Sequence, residues 1–348
     1  MLSRRTLLQG AGVAGAAICT GVPPVLAASP ALEIRGNQLL SGGQPARLIG
    51  VAAGDPVFVR KGRKLDDYAV IATGWKANVV RISVHPTHWR NQRDQMVGAL
   101  AADIGAARAA GLYVILDWHA IGFPGGFTPR PDPAWGLPQD AYESDLPLAD
   151  SFWSDMASQY GRDPGILFEL WNEPIVDDKL YVSTGQHWPQ LKRTWLSLIE
   201  TIRKRSETII LASGDRYAHD LKHAAKDLIN DPRVAYAWHC YPEMDKGQPN
   251  RWPASLDGLQ AMKPVFVTEW GFDRDEDVSV RGTPADFGRP FTQTVLERYQ
   301  LHSTAWVWSS QAGPRMFDEH GVDTEFGRFV RGYLRETPKA PLFHKQPD

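Results

Sequence analysis

The chain has 348 residues, of which 43% are hydrophobic and 22% charged, and its formal net charge at pH 7 is −2. A chain of this length can bury a large core, and its near-neutral charge excludes recruitment of nucleic acid or an anionic membrane by a basic surface. The two cysteines, Cys19 and Cys240, exclude a disulfide-rich scaffold. The sequence contains no linker-like segment and no internal repeat, which predicts a single domain over residues 29–348.

The first 28 residues have the layout of an export signal. Arg4 and Arg5 form a basic start, a mostly apolar stretch covers residues 11–26, and two alanines end the segment. The paired arginines resemble the twin-arginine export signal, which is read by a receptor. A membrane anchor is the weaker alternative, because glycines and prolines interrupt the apolar stretch. We therefore expect export to the periplasm or the extracellular space.

A short β-hairpin is predicted first, over residues 32–42, with Gly36 and Asn37 at its turn. Segments with helical spacing follow, and two of the clearest cover residues 96–111 and 188–205. Short, nearly continuous apolar runs alternate with these helical segments. The runs cover residues 47–53, 78–84, 113–119, 166–174, 208–213, 234–241, 264–271 and 303–309.

Apolar runs that alternate with helices predict parallel strands covered on both faces. Eight such units fit an α/β fold of the (β/α)8 TIM barrel type better than an open doubly wound sheet. In such a barrel the active site lies at the C-terminal ends of the strands. Polar and aromatic residues cluster at these ends: Arg81, Asp117, His119, Asn172, Glu173, His239, Tyr241, Glu269 and Trp308.

Glu173 and Glu269 end the fourth and the seventh run, so we expect them to face each other across the barrel mouth. Glycoside hydrolysis requires two carboxyl groups placed in this way. One gives a proton to the leaving oxygen, and the other attacks the sugar or activates water. A separation of about 5–5.5 Å gives retention of configuration and a larger one gives inversion, so the residues alone leave both outcomes open.

The motifs WNEP, HCY and TEWG end the fourth, sixth and seventh runs, and a tryptophan ends the eighth. In this order they resemble glycoside hydrolase family 5, the cellulase-like retaining β-glycosidases with a (β/α)8 barrel. The resemblance covers about residues 48–309. It implies that Glu173 is the general acid/base, that Glu269 is the nucleophile and that no cofactor is needed. The hypothesis is an exported endo-1,4-β-glucanase that acts on a β-linked polysaccharide or oligosaccharide, and we expect a monomer.

The same resemblance implies roles for other residues at the strand ends. Arg81 resembles the arginine that holds the nucleophile's carboxylate, and Asn172 resembles the donor to the sugar 2-hydroxyl. His119 and His239 resemble the histidines that bind sugar hydroxyls and tune the acid/base. Tyr241 resembles the tyrosine beside the nucleophile.

Aromatic side chains are expected to bind the sugar rings. Trp308 resembles the family's platform under the sugar at the cleaved bond. The long loop over residues 120–145 carries Phe127 and Trp135, which are candidates for stacking on further sugar rings. The alternative is that these two side chains only anchor the loop.

Glu169 lies four residues before Glu173, in the same apolar run. In an extended strand both side chains point into the barrel, and Glu169 lies about 13 Å deeper. We therefore expect Glu169 to be a paired structural group, with Asp117 or Arg81 as its neighbours.

Other functions remain as alternatives. A β-mannanase or a β-1,3-glucanase has the same catalytic residues. A metal-dependent hydrolase and a non-catalytic carbohydrate-binding barrel belong to other classes. His85 and His88 suggest a metal pair, but we find no carboxylate cluster that completes a shell, so no metal is predicted.

Overall fold

The computed structural model describes residues 30–58, 64–176, 187–243, 252–276 and 278–338. The predicted export signal, residues 1–28, lies outside these ranges. The described residues form a small antiparallel sheet and a closed barrel of eight parallel strands. Among them, no helix combines the length and the apolar character that crossing a membrane requires.

The small sheet confirms the predicted hairpin and adds a third strand. Its strands are β1 (Leu32–Arg35), β2 (Gln38–Ser41) and β3 (Gln44–Pro45). Gly36 at the turn has a φ of +62°, a conformation that favours glycine. Leu32 and Leu39 pack against the apolar side chains at the N-terminal end of the barrel, and Ser41 bonds the Tyr113 hydroxyl at 2.9 Å. The hairpin therefore closes the end of the barrel opposite the predicted active site.

All eight predicted barrel strands are present, and their closed order confirms the (β/α)8 barrel. They are β4 (Ile49–Gly54), β5 (Val79–Val84), β6 (Tyr113–Trp118), β7 (Ile166–Glu169), β8 (Ile210–Ser213), β9 (Val234–Cys240), β10 (Val265–Trp270) and β11 (His302–Ala305). Each strand pairs in parallel with its neighbours in chain order, and β11 pairs with β4. Every strand residue is buried, because the helices cover the outer face and side chains fill the interior.

The helices follow the strands and include both predicted segments. They are α1 (Asp67–Ala69), α2 (Pro86–Asn91), α3 (Arg93–Ala109), α4 (Leu146–Tyr160), α5 (Trp188–Arg203), α6 (Lys222–Lys226), α7 (Arg289–Phe291) and α8 (Glu325–Glu336). Wider π-helical turns at Val70–Gly74, Pro284–Gly288 and Thr292–Glu297 extend α1 and flank α7. Asp145 begins α4 by accepting a hydrogen bond from the backbone N–H of Leu148, which satisfies one free donor of the first turn.

Strand β10 contains a bulge at the active end of the barrel. Val267 pairs with Trp238 and Glu269 pairs with His239, so Thr268 has no partner on β9. An extra residue in one strand redirects the side chains that follow it. As a result both Thr268 and Glu269 bond to groups inside the barrel mouth, although they are consecutive in sequence.

Candidate active site

Arg81 is a fully buried cation at the centre of the barrel mouth. Its guanidinium donates to Glu169 through Nε at 2.7 Å, to Glu269 through Nη1 at 2.7 Å and to Asn172 Oδ1 through Nη2 at 2.7 Å. Asp117 Oδ2 lies 3.1 Å from Nη2. A planar guanidinium holds its partners in fixed directions, so this one side chain sets the relative positions of groups from β6, β7 and β10.

Glu269 is held at both of its carboxylate oxygens. Oε1 accepts from Arg81, and Oε2 accepts from the Tyr241 hydroxyl at 2.7 Å. Burial and the nearby carboxylates Glu269 and Glu173 raise the pKa of Tyr241, so its hydroxyl keeps the proton that it donates. The carboxylate of Glu269 therefore has a fixed orientation.

Glu173 shares a hydrogen bond with His239. Its Oε1 lies 3.0 Å from His239 Nδ1, and its side chain is 16% exposed, in contrast to the buried groups around it. Removal from bulk water raises the pKa of Glu173 and repulsion from Glu269 adds to this, while the bond to His239 opposes it. Burial alone lowers the pKa of His239, but the nearby carboxylates of Glu269, Glu169 and Glu173 outweigh it and raise the pKa to about 10.

Thr268 and Glu169 lie near Nε2 of His239, on the side of the ring opposite Glu173. The Thr268 hydroxyl donates to Glu169 Oε1 at 2.8 Å and lies 3.1 Å from His239 Nε2. A hydroxyl has one proton, so Thr268 accepts from His239, and Nε2 carries a hydrogen. Burial raises the pKa of Glu169, but Arg81 and His239 outweigh it and lower the pKa, which keeps an anion beneath the imidazole. Sequence reasoning missed Thr268, since the bulge that turns it inward has no signal in the sequence.

The prediction that Glu169 is a buried, paired structural group is confirmed by its bonds to Arg81. Strand β7 ends at Glu169, and the chain bends at Leu170 and Asn172 before it reaches Glu173. Glu169 and Glu173 lie on opposite sides of one imidazole ring, 3.8 Å from Nε2 and 3.0 Å from Nδ1 of His239. His239 therefore connects the buried Glu169 with the partly exposed Glu173.

His119 is oriented by a carboxylate and an aromatic ring. Its Nδ1 lies 2.7 Å from Asp117 Oδ2, and its ring stacks on Trp306 with centroids 5.2 Å apart and planes within 7°. Burial, with His85 and Arg81 nearby, lowers the pKa of His119 well below its usual value, so the imidazole is neutral at pH 7. Trp306 also lies over Arg81, with 5.8 Å between Cζ and the ring centroid.

The prediction for Trp308 is wrong. Trp308 is buried among aromatic rings outside the mouth, with Trp75 and Phe317 each 4.7 Å away between centroids. The aromatic residue of this segment that faces the site is Trp306. Strand β11 ends at Ala305, and the resemblance was carried over to the second tryptophan after it, Trp308, instead of the first, Trp306.

The loop after β6 brings a different aromatic residue to the site from those predicted. Phe127 is half-buried, and Trp135 is 59% exposed on a short helical turn, with no ring contact among the described residues. Tyr142, which sequence reasoning missed, lies with its ring 6.3 Å from that of His119. Burial raises the pKa of Tyr142, and the charges of Glu173 and Glu269 add to this.

Asp55, which follows β4, joins His85 and His88, a carboxylate that the sequence analysis did not associate with these histidines. Ligand-type atoms of the three residues lie within 4.8 Å of one another. However, Asp55 already accepts five hydrogen bonds, from Nδ1 of both histidines and from the backbone N–H groups of His85, Val57 and Phe58. A carboxylate offers about four lone-pair sites, so Asp55 has none left for a metal ion.

The two glutamates at the mouth have the separation needed for joint action on one bond. A carboxylate oxygen of Glu173, one of Glu269 and a ring nitrogen of His239 all lie within 4.8 Å of one another. Asn172 uses Oδ1 to accept from Arg81, which leaves its amide N–H groups as donors. The mouth therefore combines a fixed anion, a carboxyl group with a raised pKa and donors for polar ligand groups.

The chain matches one protein family and several curated relatives. The family described as Cellulase (glycosyl hydrolase family 5) matches residues 40–312. Endoglucanase N of Pectobacterium atrosepticum is 26% identical over 279 residues, which cover 75% of this chain and 55% of that protein. Endoglucanase 5 of Pectobacterium carotovorum subsp. carotovorum is 26% identical over 279 residues, covering 75% of this chain and 48% of that protein. The chain thus spans about half the length of the curated relatives it matches.

Solved structures share the fold. The β-glucanase SdGluc5_26A from Saccharophagus degradans in complex with cellotetraose is 25% identical, with a TM-score of 0.77 over 89% of this chain and 94% of that one. The catalytic domain of Thermobifida fusca endoglucanase Cel5A in complex with cellotetraose has a TM-score of 0.68 at 21% identity, over 88% of this chain and 97% of that one. The second likeness concerns the fold alone. The match over residues 40–312 shows that this chain belongs to the cellulase family, glycosyl hydrolase family 5.

Proposed function

We propose that the protein hydrolyses β-1,4-linked glucan with retention of configuration, with Glu269 as nucleophile and Glu173 as general acid and base. The observation that carries this proposal is the spacing of the two carboxylates, whose oxygens approach within 4.8 Å. Retaining enzymes place their carboxyl groups about 5–5.5 Å apart, whereas inverting enzymes leave about 6.5–9.5 Å for a water. The separation supports direct attack by one carboxylate.

In the first step Glu269 attacks the anomeric carbon and the bond to the leaving oxygen breaks. Arg81 and Tyr241 hold Glu269 so that one face of the carboxylate meets the sugar. Glu173 gives its proton to the leaving oxygen, and its raised pKa favours the protonated form that this step requires. The amide of Asn172 donates to the 2-hydroxyl, a contact that strengthens as the sugar gains oxocarbenium character.

In the second step Glu173 takes a proton from water, and the oxygen of that water attacks the anomeric carbon. The bond to Glu269 breaks, and the sugar leaves with its original configuration. His239 lies between the two glutamates and responds to the charge of each, at 3.0 Å from Glu173 and 3.7 Å from Glu269. Its partnership with Thr268 and Glu169 positions it through both steps. Trp306 and His119 form the wall against which the sugar lies.

Glucan is the proposed substrate because the relatives named above are endoglucanases and the β-glucanase structure at 25% identity holds cellotetraose. Mannan and β-1,3-glucan would be cleaved by the same catalytic residues, so only the walls of the cleft distinguish them. Reducing-sugar release from carboxymethylcellulose, mixed-linkage glucan, mannan and laminarin tests the assignment. We expect turnover of the first two substrates, and turnover confined to mannan or laminarin would contradict it.

The catalytic assignment is tested by Glu269→Gln and Glu173→Ala in the full chain, with Glu336→Gln at the exposed end of α8 as control. We expect glucan hydrolysis to fall by at least about 10³-fold in the first two variants and to stay normal in the control. Azide should restore turnover of an activated glycoside by Glu173→Ala, since a small anion replaces the base-assisted water. Near-normal hydrolysis by either glutamate variant would contradict the assignment.

We also propose that residues 1–28 direct export by the twin-arginine route, and that residues 29–348 form the mature enzyme. The proposal is supported by Arg4 and Arg5 and the apolar stretch behind them. Expression of the full chain in a bacterium with this route should give an exported product that lacks the segment. Retention of the paired variant Arg4→Lys, Arg5→Lys inside the cell is the expected result, and unchanged export of that variant would contradict the route.

A further inference from the structure

The loop after β8 lies between the two strand ends that carry Glu173 and His239. In the barrel β8 has β7 and β9 as its neighbours; Glu173 follows β7, and His239 belongs to the last turn of β9 before Cys240. The loop covers residues 214–221, and all of them except 216 and 217 are buried. The loop is therefore enclosed between the elements that hold the carboxyl group and the imidazole.

Three consecutive residues of this loop, 216–218, form a left-handed turn. The φ angles of Arg216, Tyr217 and Ala218 are +56°, +55° and +60°, and none of the three is glycine. A positive φ brings Cβ close to the carbonyl oxygen, so residues other than glycine adopt it singly and not in succession. Such a conformation persists only where the surrounding structure fixes it, and it is concentrated at functional sites. Contacts outside the left-handed turn must therefore hold it.

The backbone of the left-handed turn bonds to both sides of the proposed acid/base pair. The N–H of Tyr217 donates to the carbonyl oxygen of Pro174 at 3.1 Å, and Pro174 directly follows Glu173. The carbonyl oxygen of Ala218 accepts from the backbone N–H of His239 at 3.1 Å. The side chains of Glu173 and His239 meet at 3.0 Å. The left-handed turn therefore connects the two chain segments whose side chains form this pair.

Asp215 holds the start of the left-handed turn. Its Oδ1 accepts from the backbone N–H of Arg216 at 2.8 Å, and its Oδ2 lies 2.6 Å from Nδ1 of His187, next to the start of α5. The side chain of Asp215 is 6% exposed and that of His187 is 14% exposed. Within the described ranges, no hydrogen bond or ion pair joins Asp215 or His187 to Glu173 or His239. Asp215 can therefore act on the acid/base pair only through the backbone.

We infer that Asp215, supported by His187, is a positioning residue for the protonation step, because it fixes the left-handed turn that places Glu173 and His239 relative to each other. The inference rests on the proposed function, in which Glu173 protonates the leaving oxygen. Asp215 does not touch the sugar. Hydrogen bonds to an ionised carboxylate are strong and directional, so its removal releases the turn from its left-handed conformation. Glu173 then loses the fixed geometry that proton transfer requires.

The test uses leaving groups that differ in their need for a proton. Aryl β-cellobiosides of 2,4-dinitrophenol, 4-nitrophenol and phenol form such a series, since the most acidic phenol departs with little help from a general acid. The variants are Asp215→Ala, Asp215→Asn and His187→Ala in the full chain. The measurements are kcat/KM for each substrate, which reports the first step of the reaction, and Tm for each protein.

Asp231→Ala is the matched control. Asp231 likewise accepts from a basic side chain and from a backbone N–H, at 2.9 Å from Nε of Arg203 and 2.8 Å from the nitrogen of Arg233. It precedes β9, at the end of the barrel opposite the mouth. Its removal should lower Tm without changing how kcat/KM depends on the leaving group.

We expect Asp215→Ala to lower kcat/KM at least about 10-fold on the phenyl glycoside and less than about 2-fold on the dinitrophenyl glycoside, as a part of the roughly 10²–10⁴-fold that a general acid contributes. Asp215→Asn keeps an acceptor oxygen for Arg216 and should stay within about 3-fold of the wild type on all three substrates. His187→Ala removes the outer support and should show the same selectivity to a smaller extent. It tests the inference even where Asp215→Ala does not fold.

Unchanged kcat/KM of Asp215→Ala and His187→Ala on the phenyl glycoside would overturn the inference. An equal loss on all three substrates would do the same, as would the same selectivity in Asp231→Ala. Glu173→Ala in the same series tests the proposed function separately. If its loss did not grow from the dinitrophenyl to the phenyl glycoside, Glu173 would not be the acid, and the proposed function itself would be overturned.

Discussion

The Thr268 hydroxyl connects two buried side chains, Glu169 and His239, for which the sequence predicts different roles. Its one hydroxyl proton goes to Glu169, so the oxygen is available to accept from His239. The result is a chain from a buried anion through a hydroxyl to the imidazole that contacts Glu173. The buried negative charge of Glu169 favours the protonated form of His239. The positive charge on His239 opposes the rise in the pKa of Glu173.

Thr268→Val removes the hydroxyl without changing the shape of the side chain. His239 Nε2–H then lacks an acceptor, so we predict a loss of about 1–3 kcal/mol in the free energy of unfolding. A weaker positive charge on His239 raises the pKa of Glu173 further, so the alkaline limb of kcat/KM should move to higher pH. Thr268→Ser should restore both properties. An alkaline limb that stays in place in the valine variant would show that Thr268 is only structural.

Of the two tryptophans after β11, we expect one to contribute to stability and the other to substrate binding. Trp308 is packed against Trp75 and Phe317, so Trp308→Ala should cost about 3–5 kcal/mol of stability. Trp306 faces His119 and Arg81, so Trp306→Ala should lower kcat/KM on glucan by at least about 10-fold with a much smaller change in stability. Urea unfolding and steady-state kinetics on both variants test this, and the reverse pattern would restore the sequence-based choice of Trp308.

At the scale of elements, apolar runs located every barrel strand, because a strand buried on both faces is apolar throughout. They did not locate the bulge in β10 or the end of β7. The bulge and the strand end both depend on how a strand pairs with its neighbour. The residue types of Thr268 and Leu170 indicate neither feature. The two glutamates that we propose as catalytic were identified from motifs, whereas Thr268, Tyr142 and Asp55 reach the mouth through local backbone geometry.

The loop after β6 supports Glu173 through its backbone. Gly122 donates to Glu173 O at 2.9 Å and has a φ of +115°, and a Cβ there would lie 2.3 Å from Phe127 O. We predict that Gly122→Ala shifts this segment, costs about 1–3 kcal/mol in stability and lowers kcat about 10-fold. Gly126→Ala in the same loop makes ordinary contacts at 3.6 Å and should behave as wild type. Equal kcat for the two variants would contradict a supporting role for the loop.

At the scale of the whole molecule, stability should fall in acid. His302 is buried against Phe266 and accepts from the backbone N–H of Leu48 at 3.1 Å. Burial, with Arg47 nearby, lowers its pKa from 6.5 to about 3. Between pH 6.5 and about pH 3, the unfolded chain therefore binds a proton at His302 that the folded chain does not bind. The contribution of neutral His302 to stability is fully present above the pKa that the residue has in the unfolded chain. It is lost as the pH falls below that value.

His302→Asn tests this linkage, since an amide oxygen can accept from Leu48 as Nδ1 does. Between pH 7 and pH 5 the wild type should lose about 2 kcal/mol more of its free energy of unfolding than the variant does. Urea titrations at the two pH values give the difference directly. The same slope in both proteins would show that His302 is not the residue that takes up the proton.

Covalent attack by Glu269 is the central step of the proposed reaction, and one measurement tests it directly. The full chain is incubated with a 2-deoxy-2-fluoro cellobioside that carries a good leaving group, and the protein is analysed by mass spectrometry. We predict one added fluorocellobiosyl group per chain, located by peptide mapping on Glu269, and its release when a sugar acceptor is added. Attachment to another residue, or turnover that gives the inverted sugar without any adduct, would contradict it.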